Sequence, residues 1–252
     1  MKKIIVLLHL FIIPALGYCQ SIIAQYEITE DNTIATGKVG ENKTVTLNYT
    51  GYLYKKNNRY IFFEKPAYLS KVKDGGIWIS NPQDYSNVII YSVNTDTMQF
   101  AFYCDYDSLL QRHFYADKEN YISHFEPGLF AWDLLPETKE INGLRCQKTT
   151  RSYNGKVQTI VWFCPDIPMQ GGIFNVLDIP GLVVEAEFPE WKNRHYLLIN
   201  HAMNAEFSDT VFWPKEFDKT FIWGSDWKKN QNQKQSKPNK TAKQLDILNN
   251  NQ

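Results

Sequence analysis

Residues 167–187 read IPMQGGIFNVLDIPGLVVEAE, and this stretch decides the fold. Two apolar runs flank Pro180-Gly181, and the second run continues as an alternation of apolar and acidic residues that is typical of a strand. Proline fixes φ at the second position of a turn and glycine accepts a positive φ at the third, so we predict a type II turn that aims a core strand. The alternative is a docking loop beside an apolar groove, built from Gly172, Ile179, Pro180, Gly181, Leu182 and Val183.

Alternating apolar and polar runs, separated by polar turns, continue on both sides of this stretch. Asn154-Gly155 is the strongest turn signal, because the pair accepts the positive φ values of a two-residue hairpin. Four hairpins are predicted, pairing residues 44–54 with 59–63, 86–93 with 98–103, 146–153 with 156–163, and 182–188 with 195–201.

The pattern predicts a mainly β protein, with a single large curved antiparallel sheet or an open half-barrel and a few short helices. Helices are expected after Ser108, at Pro214 and after Ser225, where capping residues or a first-turn proline stand.

The two ends of the chain differ from the rest. Residues 1–20 combine Lys2 and Lys3 with an apolar run and read as a secretory signal peptide. Residues 228–252 contain eleven Asn or Gln and six Lys, which predicts a disordered or partly helical tail. One β-rich domain, residues 21–227, is expected between them, in an exported protein of the periplasm or outer membrane.

Charge and motifs exclude several classes of protein. The chain has 27 basic and 27 acidic residues, and loss of Lys2 and Lys3 leaves 25 against 27. This near-neutral charge provides no positive electrostatic field that would attract nucleic acid.

The apolar run of the signal is shorter than the roughly 18–20 residues of a membrane span, so no membrane span is expected in the mature chain. Without a phosphate loop, dinucleotide fingerprint or nucleophile elbow, no cofactor, metal or catalytic residue is predicted.

Three cysteines remain if the signal is removed, and export permits a disulfide. A two-residue turn at Asn154-Gly155 places Cys146 opposite Phe163, so Cys146 and Cys164 are expected on opposite faces, and a bridge between them needs a register shift. Bridging of Cys104 with Cys146, or a free thiol, is left open.

Polar and aromatic clusters offer further candidate sites. Glu185 and Glu187 share one face of a strand, about 6.6 Å apart, and a solvent-facing stripe is preferred over an acid/base pair. His195 and His201 lie about 20 Å apart along one strand and cannot share a metal.

Two clusters of aromatic residues could pack in the core or line a groove for an apolar ligand, and core packing is preferred. The first cluster is Tyr49, Tyr52, Tyr54, Tyr60, Phe62 and Phe63, and the second is Phe212, Trp213, Phe221, Trp223 and Trp227.

Several segments resemble one known family. Trp132-Asp133 with residues 137–147 (ETKEINGLRCQ) looks like its "W … E-K-I-G-Y-x-C" segment, and Trp162-Phe163 with residues 165–168 looks like "W-F-T-x-E-I-P". Gly172 fits the glycine of "G-P", and residues 179–183 (IPGLV) match "L-P-G-L-I". The chain thus resembles the GLPGLI family, exported proteins of the Bacteroidota with no assigned activity.

The resemblance implies export and an envelope accessory role, since members are often encoded near TonB-dependent outer-membrane receptors. Three positions depart from the pattern: Asp178 replaces the first motif glycine, Ile173 replaces a proline and Cys164 replaces a threonine. A positive φ at Asp178 would be tolerated less readily than at glycine.

We therefore hypothesise a non-catalytic accessory or binding protein of the periplasm or cell envelope that docks an outer-membrane or envelope protein. The first alternative is a carrier of an apolar ligand or lipid in a half-barrel groove. The second is a hydrolase with a spatially assembled site that uses Glu185 or Cys164.

Overall fold

The structure is a computed structural model, and it describes residues 21–35, 42–66, 76–81, 84–92, 98–116, 120–128, 131–174, 176–218 and 221–223. The predicted signal peptide, the predicted tail and the helix expected after Ser225 lie outside these residues.

Strands dominate the described chain, with two short 3₁₀ turns at Asp209–Phe212 and Lys215–Asp218. The strands are β1 Ser21–Ala35, β2 Asn42–Lys56, β3 Arg59–Pro66, β4 Gly76–Asn81, β5 Asp84–Ser92, β6 Phe100–Asp105, β7 Leu110–Tyr115, β8 Asn120–His124, β9 Asp133–Ile141, β10 Leu144–Tyr153, β11 Lys156–Cys164, β12 Leu182–Phe188, β13 Arg194–Met203 and β14 Phe221–Trp223.

Twelve of these strands form one open sheet that does not close into a barrel. Its order is β14-β8-β7-β6-β3-β2-β1-β13-β12-β11-β10-β9, and neighbours are antiparallel except for the parallel pair β14 and β8. β4 and β5 form a separate two-stranded ribbon. The predicted fold class, one large open antiparallel sheet, is confirmed, with the single parallel pair at one edge.

Three of the four predicted hairpins are confirmed, namely β2–β3, β10–β11 and β12–β13. In the β10–β11 turn both Asn154 (φ 50°) and Gly155 (φ 74°) are left-handed, as a two-residue hairpin requires. The predicted pairing of residues 86–93 with 98–103 is wrong. β5 pairs with β4, and β6 pairs with β3 and β7. Alternation identifies a strand, but its partner depends on which faces the finished sheet buries.

The short helices are corrected in the same way. Instead of a helix after Ser108, the chain makes a turn in which Leu109 has φ 53°, and Leu110 begins β7. After Pro214 the chain does form a helical turn, as the 3₁₀ turn Lys215–Asp218.

Both faces of the sheet are buried around β3. Tyr60 and Phe62 belong to the main core, whereas Ile61 between them belongs to a second core on the opposite face. The second core is covered by Phe212 and Phe217 of the two 3₁₀ turns. The main core joins β1–β3, β6 and β10–β13 to residues 165–174 and 176–181, which we call the Pro-Gly segment.

One charged network lies inside this core. Arg194 of β13 forms ion pairs with Glu30 of β1 and Glu64 of β3, and all three are buried. Its Nε donates to the Tyr196 hydroxyl at 2.7 Å, and that hydroxyl donates to Glu64 at 3.0 Å. Burial alone would lower the pKa of Arg194, but the charges of Glu64 and Glu30, with the hydrogen bond to Tyr196, raise it well above its ordinary value. The network ties together three strands that are distant in sequence.

Candidate functional site

The Pro-Gly segment packs as a fixed part of the core. The Leu182 amide donates to the Ile167 carbonyl at 3.0 Å, and the Trp132 indole Nε1 donates to the Leu177 carbonyl at 2.7 Å. Its apolar side chains fill one face of the sheet, and the buried ones are Ile167, Met169, Ile173, Phe174, Val176, Leu177 and Ile179. This face of the sheet is therefore covered by the chain itself.

Two glycines of this segment are required by close approach. A Cβ at Gly172 would lie 1.7 Å from the Val176 carbonyl oxygen, and a Cβ at Gly181 would lie 2.3 Å from the Cys164 carbonyl oxygen. The predicted type II turn at Pro180-Gly181 is wrong, because Gly181 does not have the positive φ of its third position. Gly181 instead lets the start of β12 pass against the end of β11.

The left-handed backbone lies earlier in the segment. Asp178 has φ 62° and Phe174 has φ 44°. Left-handed conformations cost a residue with a Cβ about 1–2 kcal/mol. Asp178 therefore places a side chain where the backbone favours glycine. Strain of this kind persists where the surrounding packing fixes it, and it is frequent at binding sites.

A pocket of about 670 Å³ opens beside Asp178. Its volume lies within the range of small-molecule sites, roughly 300–1,000 Å³. The walls come from four places in the chain: the β2–β3 turn (Lys55, Asn57 and Asn58), Pro127-Gly128, residues 168–170 and residues 178–180. Of the predicted site residues, Ile179 and Pro180 line this pocket. Gly172, Gly181, Leu182 and Val183 are not among its lining residues.

Opposite charges stand in the pocket wall. Lys55 is buried, and its Nζ donates to the Asn57 carbonyl at 2.7 Å. Cys104 and Tyr106 both have raised pKa values. Burial is the largest cause for each of them, and the negative charge of Asp178 makes a smaller contribution. The Tyr106 hydroxyl is buried without a hydrogen-bond partner among the described residues. The pocket is thus apolar in part, with a cation and an anion at its rim.

A second polar cluster lies on β12 and β13. His195 Nε2 lies 3.0 Å from one carboxylate oxygen of Glu185, and Lys139 Nζ lies 2.5 Å from the other. Burial would raise the pKa of Glu185, but the hydrogen bonds from Lys139 and His195 lower it overall. Glu187 stands opposite His195. Ligand atoms of Glu185, Glu187 and His195 all lie within 4.8 Å of one another, so this set could hold a metal ion.

This cluster refines two sequence-based interpretations. Glu185 does share a stripe with Glu187, but it is half-buried and ion-paired rather than simply solvent-facing. The histidine beside it comes from the neighbouring strand, a contact that no spacing within one strand reveals.

The three described cysteines, Cys104, Cys146 and Cys164, are buried free thiols. The predicted register of the β10–β11 hairpin is wrong, because a bulge between Arg151 and Ser152 shifts it and Phe163 pairs with Gln147. Burial raises the pKa of Cys146 to about 11, and its Sγ donates to the Leu144 carbonyl at 3.3 Å.

The aromatic clusters pack against the rest of the protein. Tyr26, Phe62 and Tyr196 lie in the main core, with ring centroids of Tyr26 and Phe62 6.0 Å apart. On the opposite face the Tyr54 and Phe63 rings stack at 6.0 Å. Core packing, the preferred interpretation, accounts for these rings, whereas Trp213 and Trp223 of the second predicted cluster are 51% and 46% exposed. Trp227 lies outside the described residues.

Two features of the site were missed at the level of sequence. Lys55, taken as part of a polar turn, is buried at the pocket wall. The β9–β10 hairpin, with Asn142 (φ 50°) and Gly143 (φ 77°) at its turn, was not predicted. Asn142-Gly143 is the same dipeptide signal that identified the β10–β11 hairpin, so the sequence did contain it.

No protein-family model and no curated protein matches the chain. Among solved structures, PNGF-II in a P21 crystal is similar over 83% of this chain and 32% of that chain, with 14% identity and a TM-score of 0.48. The chain thus spans about a third of the length of PNGF-II.

Two further structures are similar over most of their length. An uncharacterized conserved protein from Thermus thermophilus matches over 81% of this chain and 90% of that chain, with 9% identity and a TM-score of 0.35. A putative outer membrane lipoprotein-sorting protein domain from Vibrio parahaemolyticus matches over 79% and 92%, with 8% identity and a TM-score of 0.28. At these identities and TM-scores the similarity says nothing about activity. In the described part of the chain, no helix has the length and apolar character of a membrane span.

Proposed function

We propose that the chain is an exported, non-catalytic accessory or binding protein of the bacterial cell envelope, and that its ligand or partner docks at the pocket beside Asp178. The pocket carries this proposal, because it is the place where the motif residues Ile179 and Pro180, a strained aspartate and a buried lysine meet. Sites with apolar walls and a few placed polar groups are typical of ligand binding.

We also propose membership of the GLPGLI family and, with it, an association with TonB-dependent outer-membrane receptors. The close approaches at Gly172 and Gly181 support this, since they give a packing reason for glycine at two of the matched positions. The departure at Asp178 places a carboxylate at the pocket.

The test is a crosslinked pull-down of the tagged protein from its native envelope, read by mass spectrometry for proteins and lipids. Gln170→Trp places a large ring at the exposed rim of the pocket. Thr138→Trp makes the same addition on the exposed edge strand β9, away from the pocket. We expect an envelope protein to be enriched by the wild type and by the Thr138 variant, and lost with the Gln170 variant. Equal enrichment by all three proteins would contradict docking at the pocket.

The carrier of an apolar ligand is kept as a second candidate, because Pro168, Met169 and Ile179 make part of the pocket wall apolar. Because the Pro-Gly segment covers one face of the sheet, such a ligand would be limited to the pocket. Organic extraction of the purified protein would then release about one lipid per chain from the wild type and less from Gln170→Trp. An extract without lipid would count against the carrier.

The hydrolase alternative has weaker support. Cys164 is 1% exposed, and both carboxylate oxygens of Glu185 are engaged by Lys139 and His195. Activity that persists in alanine variants of Cys164 and Glu185 would dismiss both residues as its catalytic groups.

A further inference from the structure

Cys146 and Cys164 lie on the neighbouring strands β10 and β11, at the end where the paired part of the hairpin stops. The bulge between Arg151 and Ser152 shifts the hairpin by one position, so that Gln147 pairs with Phe163. Continued one position beyond that pair, the same register aligns Cys146 of β10 with Cys164 of β11. The shift that a bridge between these cysteines required is therefore present.

This arrangement fits the geometry of a disulfide. Directly opposed residues of an antiparallel pair point to the same face, with Cα atoms about 4.5 or 5.5 Å apart. A disulfide accepts Cα separations of about 4.4–6.8 Å, a range that includes both of these spacings.

The surroundings also favour this pair. Both cysteines are buried, at 0% and 1% exposure, which shields a bond once it has formed. They are close enough for the charge of Cys164 to raise the pKa of Cys146, after the larger effect of burial. Cys104, in contrast, lies on β6 between Tyr60 of β3 and Gln111 of β7, and has no cysteine across either ladder.

We propose that Cys146 and Cys164 are the site of an intrachain disulfide that forms when the chain folds under oxidising conditions. Each thiol loses its proton, the two sulfurs form one S–S bond, and the two electrons reduce the disulfide of an exchange partner to two thiols. Oxidised glutathione is sufficient as that partner.

The bond would fix two features of the fold. It locks the register on one side of the bulge in the β10–β11 hairpin. It also anchors Cys164, the last residue of β11, whose carbonyl packs against Gly181. The entry and exit of the Pro-Gly segment would thus share one covalent anchor. The inference does not depend on which ligand the pocket binds.

The full chain is unfolded, reduced and refolded in a buffer of oxidised and reduced glutathione, and free thiols are then alkylated in denaturant. After tryptic digestion, we expect the peptide Cys146–Lys148 to be joined to the peptide Val157–Lys192, and Cys104 to be alkylated. Thermal unfolding of the same protein should move down by about 6–12 °C when a reductant is added, since the bond closes a loop of 17 residues between the two cysteines.

Cys104→Ser is the matched control, and it should keep both the joined peptide and the shift on reduction. Cys164→Ser should lose both. If that variant does not fold, the peptide map of the wild type still decides. Alkylation at both Cys146 and Cys164, linkage through Cys104, or glutathione attached to the separate cysteines would overturn the proposal.

Discussion

Two glycines of the Pro-Gly segment allow close packing of the backbone because they have no Cβ. Gly172 and Gly181 stand where a methyl group would overlap a backbone carbonyl oxygen, and a carbonyl of the main chain cannot turn aside as a side chain can. Gly128 differs, since its φ is +79° and nothing lies within 4 Å of an added Cβ. Close packing and backbone conformation, two separate reasons for glycine, can thus be compared within one protein.

We expect Gly181→Ala to destabilise the protein by about 3 kcal/mol or more, because the overlap moves β11 against β12. Gly128→Ala should cost only about 1–2 kcal/mol, the strain of a left-handed alanine. Urea unfolding followed by circular dichroism measures both.

Replacing Pro180 and Gly181 together should likewise reduce folding before it affects any specific binding. A double variant with an unchanged melting curve would show that the close approach at Gly181 is unimportant.

A buried histidine makes stability depend on pH. His113 lies between the rings of Phe102 and Tyr121, with centroids at 4.6 and 4.3 Å, and burial lowers its pKa to about 3. The unfolded chain takes up a proton near pH 6.5 and the folded chain only near 3. Stability is therefore retained above pH 6.5 and is lost as the pH falls below it, by up to about 1.4 kcal/mol per pH unit. Urea titrations at pH 7 and pH 5 should show this loss in the wild type and not in His113→Phe.

At the scale of elements, Arg194 connects strands β1, β3 and β13 through Glu30 and Glu64. We expect Arg194→Met to destabilise the protein by about 3–5 kcal/mol, because the buried carboxylate of Glu64 loses its counter-charge and Glu30 keeps only Lys192. Arg145→Met is the control. It breaks the exposed ion pair with Asp166, whose side chains are 72% and 59% exposed, and should leave the melting curve almost unchanged. Equal melting temperatures for the two variants would mean that the network does not stabilise the sheet.

The same scale shows what the sequence could predict. The hairpins at Asn154-Gly155 and around residues 189–193 follow from turn chemistry and alternation, which are local. The partner of β6 and the register beyond the bulge at Arg151 depend on packing across the sheet, which is not local. For the site, the motif segment was identified from sequence. It lines one pocket together with the buried Lys55, more than 100 residues away in the chain, and no local pattern encodes this arrangement.

For the whole molecule, the position of β1 is decisive. It lies between β2 and β13, so that Ile22 pairs with both Lys55 and Met203. We expect deletion of residues 21–29 to abolish cooperative thermal unfolding, since the sheet would lose a central strand. Deletion of all residues after Asp218 removes only the edge strand β14 from the described sheet, and a cooperative transition should remain at a lower temperature. A cooperative transition in the first variant would contradict the central role of β1.

The placement of β1 also bears on synthesis, because ribosomes release a chain from its first residue onward. β1 and β2 leave the exit tunnel early, whereas β13, which covers the other side of β1, ends at Met203. Throughout the intervening elongation, a 15-residue strand carries one row of unsatisfied amides and carbonyls. Nascent chains with such an open edge depend on chaperones that bind extended segments, and translation pauses between residues 66 and 194 would lengthen that dependence.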